Sequence, residues 1–170
     1  VEQTKQIILE KNVTTENIDE TAHDVGVGAV VFNELSNYRI KDYVFSWDKV
    51  LNFEGETGPY VQYTHARACS ILRRAGEDTV KAAKKGFDTS WITGESAHHL
   101  IKLLYALPEV IKEAGEKYEP SIVTRHIVDI AQGFNKFYHD EHILVEDEKE
   151  KTAKVALVLA VQTAIKNGLG

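Results

Sequence analysis

A turn that opens directly onto a helix is encoded by residues 53–67, which read FEGETGPYVQYTHAR. Two glycines and Pro59 predict the turn, and Pro59 suits a first helical turn because its missing N–H costs nothing there. Tyr60, Tyr63 and Arg67 follow at helical offsets of three and four, so their side chains lie on neighbouring turns. Aromatic faces beside a planar cation suit unstacked nucleic-acid bases, above all those of RNA loops.

Helical periodicity extends along most of the chain. Apolar spacing and capping residues predict helices over residues 1–11, about 14–35, 46–51, 59–75, 79–85, 94–107, 109–118, 121–139 and 152–167. The last of these has few polar positions, so we expect it to be central. Because no convincing period-2 alternation occurs, the sequence predicts an all-α helical bundle.

Some local features carry expectations of their own. Thr14 and Thr15 are candidate N-caps for the second helix. Pro108 should break one helix and start another. Residues 25–32 read VGVGAVVF, which is compatible with a buried strand, but their polar flanks and the lack of a hairpin partner favour a helix. The two glycines of that run are then explained by close helix packing.

Composition places the chain among soluble globular proteins. It has 170 residues, of which 43% are hydrophobic and 27% charged. No apolar run approaches the roughly 20 residues that span a bilayer. Cys69 is the only cysteine, which excludes an internal disulfide and permits a reducing compartment. We therefore expect a cytoplasmic protein, monomeric and without a membrane partner.

The net charge of −6 is unevenly distributed along the chain. Residues 1–57 carry 5 Lys or Arg and 11 Asp or Glu, whereas residues 58–170 carry 15 of each. A local basic patch with a balance of +4 lies within residues 58–86 and includes Arg73 and Arg74. Such a patch can hold phosphates, although it could equally be a solvated helix end. We expect an acidic lead-in over 1–57 and a bundle over 58–170.

Candidate metal ligands and nucleophiles are present but weakly patterned. Histidines stand three residues from an acidic residue or another histidine in the pairs Glu20/His23, Glu95/His98 and His139/His142. A di-iron bundle also needs a glutamate within each of two further helices, and the apolar faces of 121–139 and 152–167 lack one. We therefore predict no metal. Cys69 would need a positioned base to act as a nucleophile, and a buried core residue is the simpler interpretation.

Two aromatic groups lie at the ends of predicted helices. Tyr60 and Tyr63 open one helix, and Phe134, Phe137 and Tyr138 close another. In a bundle these two ends can meet at one pole. Phe134 and Phe137 fall on the apolar stripe of their helix and are predicted to lie in the core. Tyr60 and Tyr138 lie off the apolar stripes of their helices, so each could either pack in the core or form part of a ligand-binding surface.

Residues 53–67 closely resemble the segment that opens the anticodon-binding domain of arginyl-tRNA synthetases. Upstream, VGVGAVVFNELS at 25–36 and FSWD at 45–48 resemble the link from that family's catalytic domain. Downstream, FNKFY at 134–138 and AIKNGL at 164–169 also match. The similarity covers essentially the whole chain, which most resembles the bacterial members of the family.

The resemblance implies a DALR-type anticodon-binding region from the C-terminal part of such an enzyme. The family attaches arginine to its tRNA with ATP and Mg²⁺ in a separate catalytic domain, whose signature motifs do not occur here, so this region should be inactive alone and need no cofactor. Its implied partners are arginine tRNA and that catalytic domain. The tRNA contacts that it implies are Tyr60, Tyr63, Arg67 and, more loosely, Tyr138. The basic patch adds Arg73 and Arg74 as expected contacts to phosphates.

Two observations qualify the resemblance. Residue 1 is Val, the chain has no Met, and family members run about a dozen residues further, so we expect a fragment that is truncated at its C-terminus. The Asp-Ala-Leu-Arg tetrapeptide behind the domain's nickname is also absent. From the residues alone, a protein-interaction or metal-binding helical bundle remains the alternative.

Overall fold

The computed structural model describes residues 1–10 and 15–169, and helices dominate this part of the chain. No strand occurs within these residues, which confirms the all-α prediction. A short 3₁₀ turn at Thr89–Trp91 lies between the fifth and sixth helices. The helices are α1 Glu2–Glu10, α2 Ile18–Ser36, α3 Trp47–Val50, α4 Gly58–Ala75, α5 Glu77–Lys85, α6 Glu95–Lys117, α7 Ser121–Asp140 and α8 Glu148–Leu169.

Helix α4 begins and ends as its sequence predicts. The Thr57 hydroxyl accepts a hydrogen bond from the backbone N–H of Tyr60 at 3.2 Å, which satisfies one of the free donors of the first turn. Pro59 lies in that turn. Gly76 ends the helix at a φ of 85°, a conformation that favours glycine.

Helix α2 is a helix throughout, including the VGVGAVVF run, but its start differs from the prediction. The side chain of Asn17 caps it by accepting from the N–H of Glu20 at 3.3 Å. Thr15 therefore lies outside the helix, while Thr14 falls outside the described residues. The glycines do allow close packing, because a Cβ on Gly26 would lie 2.7 Å from the hydroxyl of Thr4 in α1.

The predicted break at Pro108 is wrong, since α6 continues through it. A proline in a helix interior costs about 3 kcal/mol because it removes one hydrogen bond and crowds the carbonyl four residues earlier. Packing on α7 outweighs that cost: a Cβ on Gly133 would lie 2.8 Å from Leu103 Cδ1, so the two helices are in close contact. The ring of His126 on α7 also donates to the carbonyl of Leu103 at 2.9 Å, beside the site of the lost bond.

The main core lies between α4, α5, α6, α7 and α8, with Phe32 of α2 packed into it. Helix α8 is central as predicted, with buried residues all along its length, although it begins at Glu148, four residues before the predicted start at 152. Phe134 and Phe137 are both fully buried, which confirms their assignment to the core. A second, smaller cluster joins α2 and α3 through Ala29, Val50 and Leu51.

Among the helices that the structure describes, none is long and apolar enough to cross a membrane.

Candidate nucleic-acid interface

The first turns of α4 and the last turns of α7 meet side by side, and this brings the sequence-predicted aromatic groups together. Asn135 of α7 links them: its Oδ1 accepts from Arg67 Nη1 at 2.5 Å, and its Nδ2 donates to the Tyr60 hydroxyl at 2.8 Å. The same Nδ2 also donates to the hydroxyl of the buried Thr64 at 3.1 Å. One amide thus joins three residues of α4.

Arg67 lies between two half-exposed tyrosine rings. Its guanidinium carbon is 5.1 Å from the ring centre of Tyr63 and 5.4 Å from that of Tyr138, within cation–π range. Tyr63 is 48% exposed and Tyr138 39% exposed, so both rings also face solvent. Tyr138 is supported from below by the buried ring of Phe134, with centroids 6.5 Å apart and planes at 30°. We call Tyr60, Tyr63, Arg67, Asn135 and Tyr138 the aromatic–arginine cluster.

Arg74 lies beside this cluster and Arg73 does not. Arg74 and Tyr138 line the same cavity of about 220 Å³, whose other walls are Ile71 and residues 141–144. Arg73 is exposed in the last turn of α4, and one helical step rotates it by about 100° from Arg74. The two arginines therefore face different directions.

Acidic groups at the end of α7 are neutralised by other cations. Asp140 pairs with Lys136 at 2.9 Å, and hydrogen bonds from Lys136 and then His139 lower the pKa of this carboxyl. Glu141 pairs with Lys154 of α8 at 3.3 Å. Arg67, by contrast, forms no ion pair with any residue in the described part of the chain. Its positive charge is therefore not neutralised by a contacting carboxylate of these residues.

The lysines of the predicted basic patch lie on α5. Lys81 pairs with Glu77 one turn away at 3.0 Å, whereas Lys84 and Lys85 are exposed in the last turn. Part of the positive charge of residues 58–86 is thus paired within α5 itself. Of the basic residues in this patch, Arg67 and Arg74 are the ones that lie at the cluster.

The weaker candidate sites do not assemble into metal centres. Within residues 1–10 and 15–169, no group of three or more His, Cys, Asp or Glu side chains is placed to hold a metal. Glu20 bonds to the capping residue Asn17, and His98 Nδ1 lies 2.8 Å from the carbonyl of Gly94, so both act locally at helix starts.

Cys69 is half-buried rather than fully buried as predicted. Its sulfur lies 3.8 Å from the ring nitrogens of His65, one turn earlier on α4. Burial, and secondarily the charge of Lys166, lowers the pKa of His65. Gln162 of α8 also contacts that ring at 3.2 Å, so these residues form an interhelix contact on another face of α4.

Asn135 is the member of the cluster to which sequence reasoning gave no role. It lies between the buried Phe134 and the exposed Lys136, where a polar residue on the rim of an apolar stripe is ordinary. Its one distinguishing signal is its offset of three from Tyr138, which places both on neighbouring turns of α7. That signal becomes informative only when the facing helix is known.

Comparison with known proteins agrees with this geometry. A sequence model of the family described as "DALR anticodon binding domain" matches residues 61–170. Residues 1–47 match the family described as "tRNA synthetases class I (R), catalytic domain".

Curated relatives extend the match over almost the whole chain. The arginine–tRNA ligases of Halothermothrix orenii and Alkaliphilus metalliredigens are each 53% identical to it over 169 residues, which is 99% of this chain and 29% of each relative. The solved arginyl-tRNA synthetase of Thermus thermophilus superimposes with a TM-score of 0.88 at 31% identity, over 99% of this chain and 29% of that one. The chain thus spans less than a third of the length of these relatives.

These matches confirm the resemblance predicted from residues 53–67 and the flanking motifs. Because the first family model covers more than half of the sequence, the chain belongs to the DALR anticodon binding domain family.

Proposed function

We propose that this chain recognises the anticodon arm of an arginine tRNA as the anticodon-binding part of an arginine–tRNA ligase. The observation that carries the proposal is the aromatic–arginine cluster, which offers on one surface two half-exposed rings and a guanidinium that forms no ion pair with the described residues. Sequence-specific RNA recognition targets unstacked loop bases, which stack on aromatic rings and on arginine. The names of the relatives supply the tRNA and its amino acid.

Within the cluster, the side chains have separate proposed roles. Tyr63 and Tyr138 stack on splayed loop bases, each worth roughly 1–3 kcal/mol. Arg67 lies between them and bonds or stacks on a base. Tyr60 is partly buried against the core, and its hydroxyl accepts from Asn135. Its own proton therefore stays available for a base or sugar oxygen.

Arg74 and Arg73 are proposed to contact phosphates. Arg74 lines the cavity beside Tyr138, so it can reach the backbone of a nucleotide that is stacked there. Arg73 faces away from that cavity and would contact a neighbouring stretch of the same arm. Both contacts depend on charge and should weaken as salt is raised.

The remaining parts of the proposal concern the parent enzyme. We divide the chain into a lead-in over 1–57 that joins the catalytic domain and a binding bundle over 58–170; the two family matches, over 1–47 and 61–170, bracket this division. Arginine attachment, with its ATP and Mg²⁺, is assigned to the catalytic domain. The chain by itself is then inactive in aminoacylation, monomeric and cytoplasmic.

Arg67→Ala tests the proposal most directly. The 170-residue chain is titrated with an arginine-tRNA anticodon stem–loop and with a stem–loop of unrelated anticodon sequence. Removing an arginine that contacts a base costs about 1–3 kcal/mol, or roughly 5- to 150-fold in affinity. Arg125→Ala is the matched control, because Arg125 is exposed in the first half of α7, away from Tyr138. Equal affinity of Arg67→Ala and the parent chain would refute the assignment.

A further inference from the structure

Asn135 uses nearly all of its hydrogen-bonding capacity inside the protein. Its amide nitrogen has two protons, and these go to Tyr60 and Thr64. Its carbonyl oxygen accepts from Arg67. Since a guanidinium can only donate, the oxygen must face Arg67, and this fixes the orientation of the amide. Little capacity remains for reading a base, so Asn135 acts on the other side chains of the cluster.

The amide holds Arg67 without cancelling its charge. Arginine at such a position is commonly fixed by a carboxylate in a bidentate pair, which also neutralises it. Here two carboxylates at the C-terminal end of α7, Asp140 and Glu141, are engaged by Lys136 and Lys154, and no carboxylate among the described residues forms an ion pair with Arg67. Arg67 is therefore fixed by a neutral acceptor and two rings, and its full charge stays at the surface.

We infer that Asn135 is a positioning residue that presents Arg67 as an ordered but unneutralised cation to RNA. The inference rests on the proposed function. It specifies that the site needs a neutral amide at this position: an aspartate would hold Arg67 equally well but cancel its charge, whereas an alanine would leave the charge and lose the order.

Asn135→Asp is the decisive variant. Its two other partners are hydroxyls. That of Tyr60 can turn and donate to a carboxylate, whereas that of Thr64 already donates to the backbone carbonyl of Tyr60 at 2.9 Å and would have to leave it. The fold should therefore be preserved, with a fall in melting temperature of at most a few degrees. Stem–loop affinity should fall roughly 10- to 100-fold, and its dependence on salt should become shallower because one cation has been removed from the interface. Gln132→Glu is the control: it makes the same charge change on α7, in a groove facing α6, and should have little effect.

Two measurements separate this inference from the proposed function. If the parent chain binds the stem–loop and Asn135→Asp binds it equally well, the inference is wrong while the proposed function stands. If the parent chain shows no binding to either stem–loop, the proposed function and the RNA role of Asn135 fail together.

The positioning step is tested without RNA by ¹⁵N relaxation of the Arg67 side-chain N–H. This group should be ordered in the parent chain and in Asn135→Asp, and mobile in Asn135→Ala. An Arg67 side chain that is equally ordered in Asn135→Ala would overturn the positioning role.

Discussion

Lys154 is the residue whose removal should most clearly weaken the end of α7 that carries Tyr138. Its side chain is only 10% exposed, and its ammonium group contacts Glu150 at 2.9 Å and Glu141 at 3.3 Å. It also donates to the backbone carbonyl of His142 at 3.0 Å. One cation on α8 thus holds the C-cap residue of α7 and the loop that follows it.

Lys154→Met keeps most of the apolar stem and deletes the charge. Breaking a buried ion pair costs about 3–5 kcal/mol because the remaining charge is left unpaired. Glu141 is 15% exposed and cannot easily turn to water, whereas Glu150 is 30% exposed and can, so the lower part of that range applies. We expect a loss of about 3 kcal/mol in the free energy of unfolding, or roughly 6–12 °C in melting temperature for a chain of this size.

Urea unfolding at pH 7, followed by circular dichroism, measures this loss. Lys81→Met is the matched control, since Lys81 and Glu77 form an exposed pair one turn apart and such pairs contribute about 0.3–0.5 kcal/mol. The double variant Lys154→Met/Glu141→Gln should recover part of the stability, because the orphaned carboxylate becomes neutral. A Lys154→Met variant that is no less stable than Lys81→Met would refute the reasoning.

The pH dependence of the same difference has a definite sign. Burial lowers the pKa of Lys154, but hydrogen bonds and charges from Glu150 and Glu141 outweigh it, so its pKa is raised above 10.5. A cation whose pKa is raised by folding contributes stability that is fully present below its unfolded pKa and is lost as pH rises through its folded pKa. On the alkaline side, the difference in the free energy of unfolding between the parent chain and Lys154→Met should therefore persist from neutral pH upwards and narrow only in strong alkali.

Two further predictions concern helix ends. Tyr118 adopts a φ of 51° at the end of α6 and is 76% exposed, so Tyr118→Gly should raise the free energy of unfolding by about 1 kcal/mol, because glycine has no side chain to strain there. Asn17→Ala should lower it by about 1 kcal/mol, while Asn17→Ser should be nearly neutral, because serine can also accept from the N–H of Glu20. Both are read from thermal melts, and a destabilised Tyr118→Gly or an unaffected Asn17→Ala would contradict the geometry of that helix end.

The elements predicted well are those whose signals are local. The start of α4 is predicted from Pro59, which lies in its first turn, and the predicted bounds of 59–75 agree closely with the observed Gly58–Ala75. The apolar stripe of α7 likewise identified Phe134 and Phe137 as core without knowledge of the partner helices. In these places propensity, capping and packing all favour the same structure, so reading them separately gave the right answer.

The start of α2 shows how a local signal can be misread. Thr14, Thr15 and Asn17 are all chemically able to cap a helix, and sequence alone ranks them nearly equally. The structure uses Asn17, with the Thr15 hydroxyl contacting that of Thr21 instead. Choosing between neighbouring caps depends on where the helix packs, and α2 is placed by its contacts with α1, α4 and α7.

Pro108 shows a tertiary contact overriding a local signal. In an isolated helix a proline favours a break, and no residue within 94–118 gives a sequence signal that the helix should continue. The contacts that carry α6 across it come from Gly133 and His126 on α7. Their relevance depends on which helices pack together, which hydrophobic spacing does not specify.

The candidate site divides in the same way. The aromatic residues could be predicted to meet, because the start of one helix and the end of another can share a pole of a bundle. That Arg67 would lie between Tyr63 and Tyr138, and that Asn135 would fix it there, could not be predicted, since these contacts depend on the rotation of α4 against α7. The distances between side chains on two helices depend on how the helices pack, which the sequence pattern of either helix does not specify.

Different residues control the stability of the aromatic–arginine cluster and its charge. Comparing Lys154→Met, which acts on stability, with Asn135→Asp, which acts on charge, is therefore informative. Lys154 and Glu141 fix the end of α7, so losing Lys154 should loosen the support of Tyr138 and weaken RNA binding only as far as stability falls. Asn135→Asp should leave stability nearly intact and weaken binding by cancelling the charge of Arg67 and by engaging the hydroxyl proton of Tyr60, and only the first of these makes the salt dependence of binding shallower. If affinity followed melting temperature across both variants, the cluster would be acting only as packing. A loss of affinity without a matching loss of stability, together with a shallower dependence on salt, identifies the unneutralised cation as the feature that RNA recognises.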